Sequence, residues 1–278
     1  MSTFPDIAEG YRRLQRGDAN YGLIYTCNAG WVDLGHMNPF NSDPLVGAHN
    51  LWRQLQAGGP DAQISFWYDY PPEFRRAGYS KDVLQAMKSD KVARLPDGGR
   101  GFKITLKMAQ PVTGGVTESF LVRHELPDQE KRSVALAVFL MVSRAFEQHQ
   151  FDWEFSLVDW LSQQLRGKPY DSGFSQEDLV SNLIGFYIGV GHVTKDQAIR
   201  MCHPVSRETA EKVWQVHGAV GKNKNRSFEP DLSARTGFID NVNKVCRDDC
   251  IGQPRQFPRA FQQIVPAPYA KDFVLLRT

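Results

Sequence analysis

From Tyr21 to Cys27 the chain reads YGLIYTC, a short apolar run rich in β-branched and aromatic side chains, which is the pattern of a strand. Asn28-Ala29-Gly30 breaks it. Trp31, Leu34 and Gly35 then follow at helical spacing before Pro39, so a short helix over 29–37 is expected. The next segment, SDPLVGAHNLWRQLQAGGP, predicts a longer helix, with Asp43 as cap, Pro44 in the first turn and Gly58-Gly59-Pro60 as the stop. Ala62 to Tyr70 is again strand-like and is closed by Pro71-Pro72. Two runs, GFKITLKMA and GVTESFLVRHEL, flank Gln110–Gly114 and predict an antiparallel hairpin. In the first run Phe102, Ile104 and Leu106 share one face, and Lys103, Thr105 and Lys107 the other.

From Pro127 the period changes to that of helices. PDQEKRSVALAVFLMVSRAFEQHQ opens on Asp128 with an acidic first turn and becomes apolar on all sides, the mark of a buried helix. FDWEFSLVDWLSQQLRG predicts a second helix and SGFSQEDLVSNLIGFYIGVG a third, with Ser175 and Asp178 in the places of a capping box. One more helix, RETAEKVWQVHG, stands in the last portion before a Pro- and Gly-punctuated tail. Strands and a hairpin followed by helices predict an α+β fold: a small antiparallel sheet packed against a bundle of mostly buried helices. The expected division is a main domain over 1–203 carrying the site, with 204–278 as a helical and irregular extension packed on it.

Charge and composition narrow the function. Lys plus Arg number 33 against 31 Asp plus Glu, a net charge of +2, and no basic block appears, so nucleic acid is not an expected partner. GKNKNR at 221–226 reads as a solvated loop. The longest apolar run, VALAVFLMV, has nine residues against the roughly 20 needed to cross a bilayer, so no transmembrane segment is expected. The first residues lack the charged-then-apolar pattern of a secretory signal. The chain is therefore expected to be soluble, and either cytoplasmic as synthesised or exported by a route that uses no cleaved N-terminal signal. Of the four cysteines, Cys246 and Cys250 are spaced C-x3-C, the pattern of neither a zinc knuckle nor a C-x-x-C redox pair, and disulfide connectivity stays open.

Three stretches place polar residues among apolar ones. In the first, Asp33 and His36 would share a helix face, where the acid would fix the imidazole tautomer and raise its basicity, as in metal sites and general bases. Cys27 just before them would gain thiolate character at a helix start, with His124 as its base. In the second, Glu147, Gln150 and Glu154 run at i, i+3 and i+7 among aromatic residues, where a carboxyl has a raised pKa suited to acid–base work or holds a metal. In the third, Asp178, Ser181, Asn182, Gly185 and Gly189 make a small polar stripe that admits a ligand or another backbone at close range. Each stretch has a structural reading too: a turn-closing hydrogen bond, an outward amphipathic face, or tight helix packing.

Taken in order, YTCNAGWVDLGH (Tyr25 to His36), FEQHQFDWEFSLVDW (Phe146 to Trp160) and SGFSQEDLVSNLIG (Ser172 to Gly185) resemble the bacterial family known as domain of unknown function 4056. The resemblance lies in the Tyr-Thr-Cys start, the Gly-aromatic step and Asp-x-x-His, then Ser-aromatic/small-Phe-Ser-x-Glu-Asp followed by Ser-Asn and Gly. Here MNPFNSD stands where the family places Arg and Asp after the His. The family brings no established activity, and members of it look like envelope or lipoprotein-type proteins, which implies a cell-envelope setting.

These observations together point to a hydrolase with His36 as base or metal ligand and Asp33 orienting it. Glu154 or Glu177 would be the acid/base or a further ligand, and Glu147, Asp178, Ser181 and Asn182 would contact substrate. A divalent metal such as zinc suits His with carboxylates, with His36 and Glu154 as the candidates. The substrate implied by the envelope setting is peptidoglycan or another wall component, and a partner or immunity protein would fit a secreted effector. Two alternatives stand beside this: a cysteine peptidase or amidase using Cys27 and His124, and a non-catalytic binding or scaffold protein whose polar residues tie helices to the sheet.

Overall fold

The structure is a computed structural model and describes residues 2–64, 77–110, 114–165, 174–230, 232, 242 and 244–276, with backbone alone for 109, 110, 114 and 149–165. In chain order the first elements are α1 (Phe4–Arg16), β1 (Leu23–Thr26), β2 (Gly30–Asp33), α2 (Ala48–Ala57), α3 (Lys81–Asp90), β3 (Gly101–Gln110) and β4 (Gly114–Arg123). There follow α4 (Asp128–Leu165), α5 (Asp178–Gly189), α6 (Lys195–Cys202), α7 (Arg207–His217) and β5 (Phe273–Leu276). The fold is α+β, with small antiparallel sheets of two and three strands. Among the described residues no helix is long and apolar enough to cross a membrane.

The chain forms two units, and neither is continuous in sequence. Met1–Pro39 and Ser143–Gln263 make one, Phe40–Val142 and Ile264–Thr278 the other. This differs from a sequential division after residue 203. The tail is shared between the units because Phe273–Leu276, an apolar run near the end, pairs with β4 from Ser119 to Val122 as the third strand of the second sheet.

In the first unit α1 begins at Thr3, whose amide donates to Asp6 Oδ2 at 2.6 Å and so satisfies a group the helix leaves open. Its buried face carries Ile7, Gly10 and Tyr11. A Cβ on Gly10 would stand 2.6 Å from the Leu23 carbonyl oxygen, so a side chain there would lift the helix off β1. β1 and β2 pair antiparallel, Leu23 opposite Asp33 and Thr26 opposite Gly30, the latter at φ 67° where the turn demands it. No helix forms over 29–37. Strand pairing instead buries Trp31 and Val32, and a turn follows in which the Met37 amide donates to the Asp33 carbonyl at 2.9 Å. α5 is buried along its length except at Asn182.

The second unit is built on the expected hairpin. β3 and β4 pair from Gly101–Arg123 to Gln110–Gly114, with Phe102, Ile104 and Leu106 buried and Lys103 exposed. Ala62, Ala93, Leu95, Leu121, Val274 and Leu276 form a core. α2 starts at Ala48 rather than at Pro44, and Asp43 instead accepts the Leu45 amide at 3.0 Å in a turn of its own. Of the expected strand over 62–70, residues 65–70 lie outside the described ones, and Gln63 makes an isolated antiparallel bridge with Val92. The two helices expected on either side of residue 150 are one, since α4 runs unbroken through 38 residues.

Candidate active site

His36 sits in the turn that leaves β2, and Asp33 shapes that turn. Asp33 Oδ1 accepts the amides of Gly35 at 2.7 Å and His36 at 3.1 Å, while Oδ2 accepts the Ser2 hydroxyl at 3.1 Å. The Asp33 amide donates to Ser181 Oγ at 2.9 Å, and Ser181 Oγ donates in turn to the Glu177 carbonyl at 2.6 Å. One hydroxyl thus ties the end of β2 to the first turn of α5. Gly185, one turn further along, lets the helix backbone lie against the turn. A Cβ there would stand 2.9 Å from the Met37 carbonyl oxygen and 3.0 Å from that of His36.

The ring of His36 meets Asp178 rather than Asp33. Its Nδ1 lies 3.0 Å from Asp178 Oδ1, a charge contact at ion-pair distance that is not aligned as a hydrogen bond. Asp178 is fixed by its other oxygen, which accepts the Ser175 amide at 3.1 Å, so the capping residue is also the histidine's partner. Asp33 therefore orients His36 through the backbone and Asp178 through the ring. Nδ1 is buried, and the 27% of the side chain that remains exposed belongs to its other atoms.

Two fully buried acids stand in the same field. Glu147, on α4, accepts the Phe174 amide on Oε2 at 3.0 Å, and its Oε1 has no hydrogen-bond partner among the described residues. Among the described residues Glu177 has no hydrogen-bond partner on either oxygen. Burial pushes the Glu147 carboxyl up to about 7, with Asp178 adding to the rise and His36 and Lys224 opposing it. Burial, reinforced by Asp178, holds Glu177 well above the usual carboxylate range. At His36 burial works the other way, but Asp33 and Asp178 outweigh it, with Glu147 adding, and keep the imidazole protonated up to about 10. The arrangement is a partly exposed imidazolium backed by four acids, of which Glu147 and Glu177 have raised pKa values. In this state it can donate a proton or stabilise developing negative charge, whereas a base needs a free lone pair.

Of the residues expected at a site, His36, Asp33, Asp178, Ser181, Glu177 and Glu147 come together in the first unit. Asn182 is half-buried beside them on α5. The Glu154 side chain lies outside the described residues, as does that of Gln150. Cys27 is not a free nucleophile. It lies in the turn between β1 and β2, not at a helix start, and is joined to Cys250 in a disulfide. His124, its expected base, belongs to the second unit and contacts Asp61 Oδ1 through Nε2 at 3.0 Å. Among the described residues no group of three or more His, Cys, Asp or Glu side chains is placed to hold a metal ion.

A residue that pattern alone did not assign to this network is Ser2, whose hydroxyl reaches Asp33. Ser2 and Asp33, with Asp6, Tyr21 and Gly22, line a shallow cleft. Family models, curated proteins and solved structures offer no match to the chain, so its function is argued from this geometry.

Proposed function

We propose that the protein is a hydrolase working by acid–base chemistry at His36. The observation that supports this best is the contact of a partly exposed imidazole with the buried Asp178 carboxylate. Of the titratable groups that meet there, His36 and Asp33 are the partly exposed ones, and both Asp33 oxygens already accept hydrogen bonds. His36 is thus the group that touches substrate, where it donates a proton to the leaving group. Asp178 and Asp33 are positioning residues. Glu177, held well above the usual carboxylate range, adds little charge around the ring, and Glu147, raised to about 7, adds part of one.

The envelope setting implied by the resemblance to domain of unknown function 4056 makes peptidoglycan the substrate to test. Release of soluble fragments from purified sacculi should fall at least about a hundredfold in His36→Ala, the scale of a lost general acid. In Asp178→Asn it should fall about tenfold or more, as when a histidine's orienting partner is lost. A His36→Ala protein that keeps its fold and its rate would overturn the assignment. No release by the parent protein would overturn the wall substrate and leave the charge of His36 to be tested by titration.

A binding or scaffold role is the second reading. It draws on the Ser181 hydroxyl, which ties α5 to β2 and serves packing as well as chemistry. On that reading His36→Ala and Asp178→Asn unfold the protein instead of silencing it, which thermal melting distinguishes.

A further inference from the structure

We propose that the Cys27–Cys250 disulfide is a redox latch on the turn that carries His36, holding it in working geometry where disulfides persist and releasing it to a dithiol reductant. This rests on the hydrolase reading only for the chemistry being switched; the latch itself stands on the geometry of the hairpin.

Cys27 occupies the turn of the β1–β2 hairpin, and its partner lies 223 positions further along the chain. β2 then runs only from Gly30 to Asp33 before the His36 turn begins. A lone two-stranded hairpin is marginal in water, so its placement depends on what grips its two ends. At the site end the grip is α5, through Ser181 and Gly185. At the Cys27 end the Cys27 amide donates to the His203 carbonyl at 2.9 Å and the Asn28 amide to the Cys202 carbonyl at 3.0 Å. Asn28 Nδ2 donates to Gln253 Oε1 at 3.3 Å.

The segment around Cys250 is built of turns, and the Cys250 amide donates to the Cys246 carbonyl at 3.0 Å. Its polar ties to the rest of the unit include the Ser206 amide and hydroxyl on Asp249 Oδ2, at 3.0 and 2.9 Å, and Asn28 on Gln253. The disulfide is the covalent one. Cutting it leaves hydrogen bonds near the surface, which water can replace, to hold one end of the hairpin.

The reaction is thiol–disulfide exchange. A thiolate of the reductant attacks Cys250 Sγ, the S–S bond breaks, and Cys27 leaves as a thiolate that takes up a proton. The second thiol of the reductant then displaces Cys250, which is protonated in turn, and the reductant departs as its own disulfide with both electrons transferred to the protein. Both cysteines are buried, Cys27 completely and Cys250 to 8% exposure, and Cys250 alone is followed by exposed residues, Ile251 and Gly252, so Cys250 is the sulfur nearer to an attacking thiolate. Such a bridge persists in extracellular and periplasmic settings and is reduced in the cytosol, so the latched form belongs to an oxidising compartment.

The test uses the full chain in buffers of oxidised and reduced dithiothreitol, a dithiol, stepped from oxidising to reducing, with the bridge followed by mass spectrometry of non-reduced digests. The His36 ring is read by NMR titration, and residues 30–36 by amide hydrogen exchange. Reduction should speed exchange in that stretch about tenfold or more and bring the His36 titration down toward that of an ordinary histidine. The double variant Cys27→Ser/Cys250→Ser should do the same in oxidising buffer, while Cys202→Ser and Cys246→Ser leave both signals unchanged. If the double variant does not fold, the reduced parent chain below its melting temperature supplies the same readings. Unchanged titration and exchange after reduction, or four free thiols in the oxidised protein, would overturn the latch. A protein without hydrolase activity that still shows the redox-dependent His36 signal would overturn the function and uphold the latch.

Discussion

His36 holds its charge because carboxylates reach it from three places: Asp33 from its own turn, Asp178 from the start of α5 and Glu147 from α4. Its folded pKa lies above the ordinary 6.5 of an unfolded chain. The stability it contributes is therefore complete below pH 6.5 and is lost as pH rises through about 10. Urea unfolding between about pH 6 and pH 10 should show that fall, and His36→Gln should flatten it; an equal slope in the variant would assign the effect to other groups. Glu177 has the same sign. Its folded pKa is raised above the ordinary 4.5, so whatever it contributes is present below that pH and lost as pH climbs through the folded value. Glu177→Gln should then match the parent near about pH 4 and exceed its stability near about pH 8, whereas an ionised, paired Glu177 would make the variant weaker at both. The Asp33–His36 spacing was legible in the sequence. The ring's true partner was not, because Asp178 lies far along the chain and only folding brings it to Nδ1.

At the scale of elements, the site depends on α5 lying flat against the His36 turn. Gly185→Ala puts a Cβ about 3 Å from two backbone carbonyl oxygens that a rotamer change cannot move. It should cost about 1–3 kcal/mol in chemical unfolding and broaden the His36 resonance. Ser181→Ala leaves the Asp33 amide without its acceptor and should cost about 1–3 kcal/mol. A Gly185→Ala protein of parental stability would mean that α5 and the turn are not in contact. The stripe of small residues on α5 was readable as a close-approach surface, though not what approaches it. The segment 29–37 was misread for a physical reason. Trp31, Leu34 and Gly35 fit a helical period, but so short a run fits either period, and pairing with Leu23–Thr26 buries more of it.

For the whole molecule, the Cys27–Cys250 bridge closes a loop of more than 220 residues. By the chain-entropy account such a loop removes about 5 kcal/mol of unfolded-state freedom. Unfolding with and without reductant should differ by an amount of that order, and a difference within error would show that the bridge constrains little. Local pattern alone determined the α+β class, the β3–β4 hairpin with its buried face, the helices over 178–189 and 207–217, and the helical character of 128–165, though it divided that stretch in two. These follow from the periods of neighbouring side chains, which a chain carries wherever it folds. Tertiary structure alone decided the rest: β5 in the last residues, the two interleaved units, Cys27 as a bridge rather than a nucleophile, and His36 against Asp178. Each of these joins positions far apart in sequence, and such contacts are chosen by what can be buried, paired or bonded together, which no local period encodes.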